Sequence, residues 1–479
     1  MGQEIAYSQF TRQDFRRFRV KLRQETVRLA DWFRDERFTP VGSVGGFEVE
    51  AWLIDQRGQP APHNQLFLER LADPLVVPEL SVYNFELNTP PLPLHGDALR
   101  RMHAHLETLW QRCQQAAAAL DMAAVLIGIL PTLRNQDLTL DHMSGQARYR
   151  AINDQIMLRR RGQPIELTIH GAEILHTTHH DVMLEAAATS FQTHLQVSAQ
   201  EAATFYNAAV ALSAPMVAVT ANSPLLFGKE LWAETRIPLF EQGVALQGDV
   251  RSDNPAYRRV TFGSGYVRES LLELFTENLT HYPPLLPVDL STEAPLDSLP
   301  HLRLHNGTIW RWNRPLLGFA ADGAPHLRIE HRVMPAGPSI PDTIANAALY
   351  YGLVHALACA LPPVSMVLEF TQSRANFYAA AQAGLQAEVI WLNGQRLPLR
   401  RLLLEELVPL ARRGLLALEL DAADVALYLD LITARITSGQ TGATWQQRFL
   451  DRHDSDLAAL TLAYLEQQRS GKPVHEWAS

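Results

Sequence analysis

The stretch Gly45-Gly46-Phe47-Glu48-Val49-Glu50-Ala51-Trp52-Leu53-Ile54-Asp55 decides how the chain is read. A glycine turn precedes a strict alternation of apolar and polar residues, the pattern of a half-buried strand. Phe47, Val49, Ala51 and Leu53 face one way; Glu48, Glu50 and Trp52 face the other. At about 3.3 Å of rise per residue, the two carboxylates stand roughly 7 Å apart on one face. Like charges that close repel, so water or a cation must screen them. A strand with its acidic edge in solvent fits the same pattern. Three later stretches repeat the device and weigh against that simpler reading.

In Leu80-Ser81-Val82-Tyr83-Asn84-Phe85-Glu86-Leu87-Asn88, the residues Asn84, Glu86 and Asn88 share a face. In Thr189-Ser190-Phe191-Gln192-Thr193-His194-Leu195-Gln196-Val197 they are Gln192, His194 and Gln196. The fourth stretch, His326-Leu327-Arg328-Ile329-Glu330-His331-Arg332-Val333, aligns Arg328, Glu330 and Arg332. If these strands are neighbours, one sheet face carries Glu48, Glu50, Glu86, His194 and Glu330, flanked by Asn84, Asn88, Gln192, Arg328 and Arg332. Such a face is poor as a core. Carboxylate oxygens with one imidazole suit Mg2+ or Mn2+, hard ions often shared with substrate phosphates. Arginines add a bidentate grip on carboxylate or phosphate.

The 479 residues carry a net charge of -9, with 47% hydrophobic and 19% charged residues, as in ordinary globular chains. No basic stretch points to a nucleic-acid partner. Cys113 and Cys359 are the only cysteines, so neither a disulfide framework nor a thiolate metal site is expected. The charged N-terminus lacks the apolar segment of a secretory signal, and the apolar run 353–370 is broken by Pro362-Pro363. A cytoplasmic protein with no membrane segment is expected.

Helical spacing predicts an opening helix over 11–38 and further helices over 98–121, 201–220 and 340–360, with mostly helix beyond Phe377. The apolar run 123–130 reads as a buried strand, and 302–310 as another. Arg148 and Tyr149 stand where a loop enters a helix. Residues 249–323 are the expected lid or subunit contact. The His176-Thr177-Thr178-His179-His180-Asp181 cluster reads as an exposed turn rather than a metal site. Phe262-Gly263-Ser264-Gly265-Tyr266 lacks the lysine of a phosphate loop and reads as a turn. Ser213 has no His-Asp arrangement to make it a nucleophile. Strands interspersed with helices, without a regular βαβ rhythm, give an α+β fold with a mainly antiparallel sheet.

At this point the residues resemble the glutamate-cysteine ligase type of carboxylate-amine ligases, related in fold to glutamine synthetase. The matching pieces, in order, are Gly46-Phe47-Glu48-Val49-Glu50, Phe85-Glu86-Leu87-Asn88, Arg148-Tyr149, Ala221-Asn222-Ser223-Pro224, Thr235-Arg236 and Arg328-Ile329-Glu330-His331-Arg332. The resemblance implies a curved sheet whose concave face binds Mg2+ between ATP and an amino acid, with helices outside. It implies a helix over 1–40, a catalytic domain over 41–385 and a helical region over 386–479 packed on it.

By the same resemblance Glu48, Glu50, Glu86, His194 and Glu330 are magnesium ligands. Arg332, beside Glu330, contacts the transferred phosphate, and Arg236 binds an amino-acid carboxylate. Arg148, Tyr149, Asn88, Gln192, Asn222 and Arg328 line the substrate and ATP sites. The implied reaction is phosphorylation of a side-chain carboxylate by ATP, then attack by an amine to form an amide. Its partners are small-molecule amino acids or amines; separately, the leucine-rich region 397–431 reads as helix packing or as the contact of a homo-oligomer. Two other classes use the same residues: a metal-dependent γ-glutamyl amidase, and a non-catalytic binding protein that keeps the fold.

Overall fold

The alternation around Glu48 does form a strand, β1 (Val44–Ile54), in the computed structural model, which describes residues 4–5, 7–39, 42–246, 258–290 and 296–478. In chain order there follow β2 (Val76–Pro78), β3 (Asn84–Asn88), β4 (Leu92–Pro93), β5 (Ala123–Val125), the hairpin β6 (Ile165–His170) and β7 (Ile174–His179), β8 (Ser190–Val197), β9 (Asn313–Phe319) and β10 (Pro325–Pro335). The main sheet is ordered β9-β10-β8-β1-β3-β2, antiparallel throughout, with β4 and β5 also paired to β1. Both edge strands contain proline, Pro315 in β9 and Pro78 in β2. Proline cannot donate to a ladder and is tolerated at an edge. The sheet curls as the α+β reading anticipated.

Register carries the site. Glu50 lies opposite Glu86, Gly46 opposite His194, and His194 opposite Glu330. The pairing of β10 with β8 slips between His331 and Met334. One extra residue is accommodated there, a β-bulge. The slip changes the parity of the strand: Glu330 and Arg332 face the site, yet Met334 pairs with Phe191. Without the bulge, Met334 would follow Arg332 onto the acidic face.

Helices Ala202–Thr220 and Ile340–Ala358 cover the opposite face. The Tyr351 hydroxyl donates to the Gly46 carbonyl at 2.9 Å. Gly45 permits that approach, since a Cβ there would lie 2.9 Å from Tyr351 Cζ. Phe47 and Phe191 meet edge to face at 5.3 Å beneath the carboxylates. The helix Ala202–Thr220 is long and apolar enough to cross a membrane, but it is 94% buried inside the protein, as a core helix is.

The last hundred residues pack on the same body. Arg435 and Asp342, each 1% exposed, pair at 2.7 Å, and Arg435 also reaches Asn346 at 2.6 Å. The other Asp342 oxygen accepts from the Val474 amide at 2.8 Å. Gly442 abuts Asn222 so closely that a Cβ would lie 2.0 Å from Asn222 Oδ1.

Several elements differ from the sequence reading. Residues 302–310 form a helix, Pro300–Asn306, and a two-residue bridge, Trp310–Arg311, because Pro300 suits a helix start. Only Ala123–Val125 of the apolar run is strand; the carbonyls of Ile127 and Gly128 bond Thr189 instead. Trp52 lies on the carboxylate side of β1 but is fully buried, stacked on Tyr83 at 5.4 Å. The expected turn at 176–181 includes the end of β7, an unforeseen hairpin strand. Of the expected lid, 249–257 and 291–295 lie outside the described residues; the remainder includes the helix Leu272–His281 and all of β9.

Breaking a buried ion pair from one side costs about 3–5 kcal/mol. Asp342→Ala is therefore expected to lower unfolding stability by that amount, measured by urea unfolding followed through tryptophan fluorescence. A loss below about 1 kcal/mol would contradict the role given to this pair.

Candidate active site

β1, β3, β8 and β10 bring the predicted carboxylates onto one face, where they sort into two triads. In the first, ligand atoms of Glu48, His194 and Glu330 all lie within 4.8 Å of one another; in the second, those of Glu50, Glu79 and Glu86 do. His194 Nε2 sits 3.3 Å from Glu48 Oε1 and 3.9 Å from Glu330 Oε1. Nδ1 of this buried histidine has no hydrogen-bond partner among the described residues, and Nε2 faces the two carboxylates. A buried imidazole nitrogen turned toward two carboxylates fits a cation ligand. With oxygen donors dominating and no thiol, the set suits Mg2+ or Mn2+.

Charge is balanced unevenly. Glu330 is 1% exposed and gripped by Arg314, Nε to Oε2 at 2.8 Å and Nη2 to Oε1 at 2.9 Å. Arg332 Nη1 adds a third bond to Oε2 at 2.8 Å. Burial would raise the Glu330 carboxyl, but the two guanidiniums outweigh it and hold the group far below the usual carboxylate range. Oε1 accepts only one of these bonds and keeps capacity on the side of His194. Glu48 is also held well below its ordinary value, burial being overcome by nearby positive charge that includes His194 and Arg332.

The second triad is the reverse. Burial, then repulsion from Glu79, pushes Glu50 up to about 7, although Ser190 and Gln192 donate to it at 2.6–2.8 Å. Glu86 lies well above its ordinary value through burial and repulsion by Glu48. Asn88 Nδ2 donates to it at 2.8 Å. Gln192 also accepts from Arg332, so one amide ties Glu50 to the arginine.

Three adjoining cavities run along this face. One of ≈ 160 Å³ is lined by Glu48, His194 and Glu330, by Arg148, Arg303, Arg314 and Arg328, and by apolar Phe275, Leu286 and Leu304. The next, ≈ 140 Å³, shares Glu48, Arg148 and Arg314 with it and adds Glu50, Glu79, Glu86, Tyr149 and Gln192. The third, ≈ 50 Å³, shares Glu50, Glu79, Glu185 and Arg332 with the second and is closed by Asn84, Arg236, Phe240 and Trp312. Tyr149 joins Arg148 Nη2 at 2.7 Å and donates to Glu79 at 3.2 Å.

Three predicted residues are placed differently. Asn88 lines none of the three cavities, its Nδ2 donating to Glu86 and to the Leu75 carbonyl. Asn222 is fully buried and away from the three cavities, its amide bonding Ala336 O, the Tyr464 hydroxyl and Gln446. Its groups are spent joining the end of β10 to the C-terminal helices. Arg236 does reach the third cavity, but Nη2 bonds the Arg332 and Val333 carbonyls at 3.3 and 2.7 Å, and Nε bonds Glu234 at 3.2 Å. It satisfies the two adjacent carbonyls that the bulge turns out of the ladder.

Sequence reasoning missed Glu79, Glu185 and Arg314. Glu79 follows Pro78 outside any alternation, and Glu185 sits in a short 3₁₀ turn, Met183–Ala187. Arg314 precedes Pro315, which argues against a strand on sequence grounds.

Among known proteins, the family model described as glutamate-cysteine ligase family 2 matches residues 44–472. A search with the sequence finds no significant match among curated proteins. The structure is similar to a glutamate-cysteine ligase from Francisella tularensis solved in complex with AMP, with a TM-score of 0.58 at 12% identity, covering 91% of this chain and 90% of that one. It is also similar to a bifunctional glutathione synthetase from Pasteurella multocida, with a TM-score of 0.50 at 12% identity, covering 93% of this chain but 55% of that one. At such identity the likeness speaks to fold alone.

Glu50, pushed up to about 7, keeps a proton at pH 6, and the upward shift of Glu86 acts in the same direction, so a cation in their triad must expel protons as it binds. Mg2+ affinity is therefore expected to rise as pH increases from 6 to 8, with proton release greatest at the acid end. Calorimetric titrations in two buffers of unlike ionisation enthalpy measure the release. None at pH 6 would contradict the assignment, and Glu86→Gln is expected to reduce it.

Proposed function

The chain belongs to glutamate-cysteine ligase family 2, and from that premise we propose that it is an ATP-dependent carboxylate-amine ligase acting on a glutamate-type acid. The observation that carries this reading is the adjacency of the three cavities: an arginine-rich end, two triads of cation ligands and a small polar end on one sheet face. Nucleotide phosphates suit the first, and a small acid suits the last.

In this reading an oxygen of the acid attacks the γ-phosphorus and ADP leaves. An amine nitrogen then attacks the acyl carbon, the acyl C–O bond breaks, phosphate departs, and the nitrogen loses its proton. Bound at the triads, Mg2+ would neutralise phosphate oxygens. The chain's own part is electrostatic. Arg332, on the wall shared by the second and third cavities, stands where charge spreads during transfer. Arg314 keeps Glu330 ionised and fixed in direction, and Arg328 and Arg148 offer guanidiniums to the nucleotide side. The apolar wall of Phe275, Leu286 and Leu304 excludes water there.

ADP release in the presence of L-glutamate and a panel of amines, including cysteine, tests the proposal. Glu48→Gln and Glu330→Gln are expected to reduce it about 10²–10³-fold, the usual cost of losing one electrostatic stabiliser. Equal turnover in both variants, or release by the wild type that ignores acid and amine, would overturn it.

A further inference from the structure

The third cavity holds a feature the reaction scheme does not use. Glu185 lines it, is half-buried, and its carboxylate makes no hydrogen bond or ion pair among the described residues. Burial and the neighbouring Glu79 both oppose its negative charge. Asn84, 3% exposed, lines the same cavity, and its Nδ2 has no hydrogen-bond partner among the described residues. A buried amide donor without a partner, lining the same space as an unbonded carboxylate, is unusual in a folded protein unless a ligand completes it. Two guanidiniums line the same space, those of Arg332 and Arg236, the latter over the Trp312 ring at 5.6 Å. The space thus offers both anionic and cationic groups, and at ≈ 50 Å³ it suits a small group.

We infer that Glu185 determines specificity in this site by anchoring an α-ammonium group of the acid substrate, so that the chain selects a free amino acid over a des-amino or N-acylated acid. The inference rests on the ligase reading above. The anchored nitrogen is not the nucleophile. An amine must be uncharged to attack an acyl carbon, whereas a desolvated carboxylate stabilises the ammonium form. The reacting carboxylate points instead toward Glu50 and Arg332, where this cavity opens into the second. Asn84 Nδ2 donates to a ligand oxygen beside it.

The test compares binding of L-glutamate and glutarate, which differ only in the α-ammonium, to the full chain by calorimetry. The wild type is expected to bind glutamate at least about tenfold more tightly, since an unpaired buried charge penalises the analogue. Glu185→Gln, isosteric and free of the buried charge, is expected to bring the two acids within about twofold of each other. Glu185→Asp, which keeps the charge, retains part of the preference and serves if the glutamine variant does not fold. A wild type without preference, or a preference that survives in Glu185→Gln, overturns the inference. Because binding is read without turnover, a chain that discriminates in this way yet releases no ADP would sink the ligase reading and leave this one standing.

Discussion

Carboxylates gathered on one face of a sheet repel, and the molecule is governed by how that repulsion is offset. At an effective dielectric constant near 20, two like charges 4 Å apart cost about 4 kcal/mol. Near Glu330 the offset is direct, with Arg314 and Arg332 supplying three charge-assisted bonds to one buried group. Around Glu50 and Glu86 it is partial, with amide and hydroxyl donors only. The face is therefore polarised along its length, from an end where negative charge is already paid in arginine to an end where it waits for a cation.

That polarity depends on features remote from the chemistry. The bulge in β10 sends Arg332 to the site and Met334 to the core, and Arg236 holds the bulge by its two outward carbonyls. Glu234 fixes Arg236 and also accepts from the Asn222 amide and the Ser223 hydroxyl. Asn222 in turn meets Gly442 and Gln446. A continuous set of buried polar contacts thus runs from the C-terminal helices to the guanidinium beside Glu330. Glu234 and Asn222, at its centre, each make several bonds, which lets such a network specify one geometry.

The strands that bear the site were legible because period-two alternation is a local property, and Glu48, Glu86, His194 and Glu330 lie on segments long enough to show it. Their partners were not. Arg314 is recognised only through its pairing opposite Glu330, a register that no local pattern encodes. Glu79 and Glu185 sit on irregular backbone, where position follows from packing alone. Asn222 shows the opposite case: a polar residue singled out for a binding role is spent on buried contacts to Ala336, Tyr464 and Gln446, because a polar residue in a marked motif can be architectural. The helix at Pro300 was misread because a short apolar run does not distinguish strand from helix.

The helix Ala202–Thr220 has one further consequence, for synthesis on the ribosome. Its coat is assembled from β9, β10 and the helices Ile340–Ala358 and Phe370–Ala383, all encoded downstream. At about 5–20 residues per second, translation leaves this greasy cylinder without its cover for on the order of ten seconds. During that interval it presents a helix as long and apolar as one that crosses a membrane, a surface that stays open to other apolar partners until the downstream cover is made.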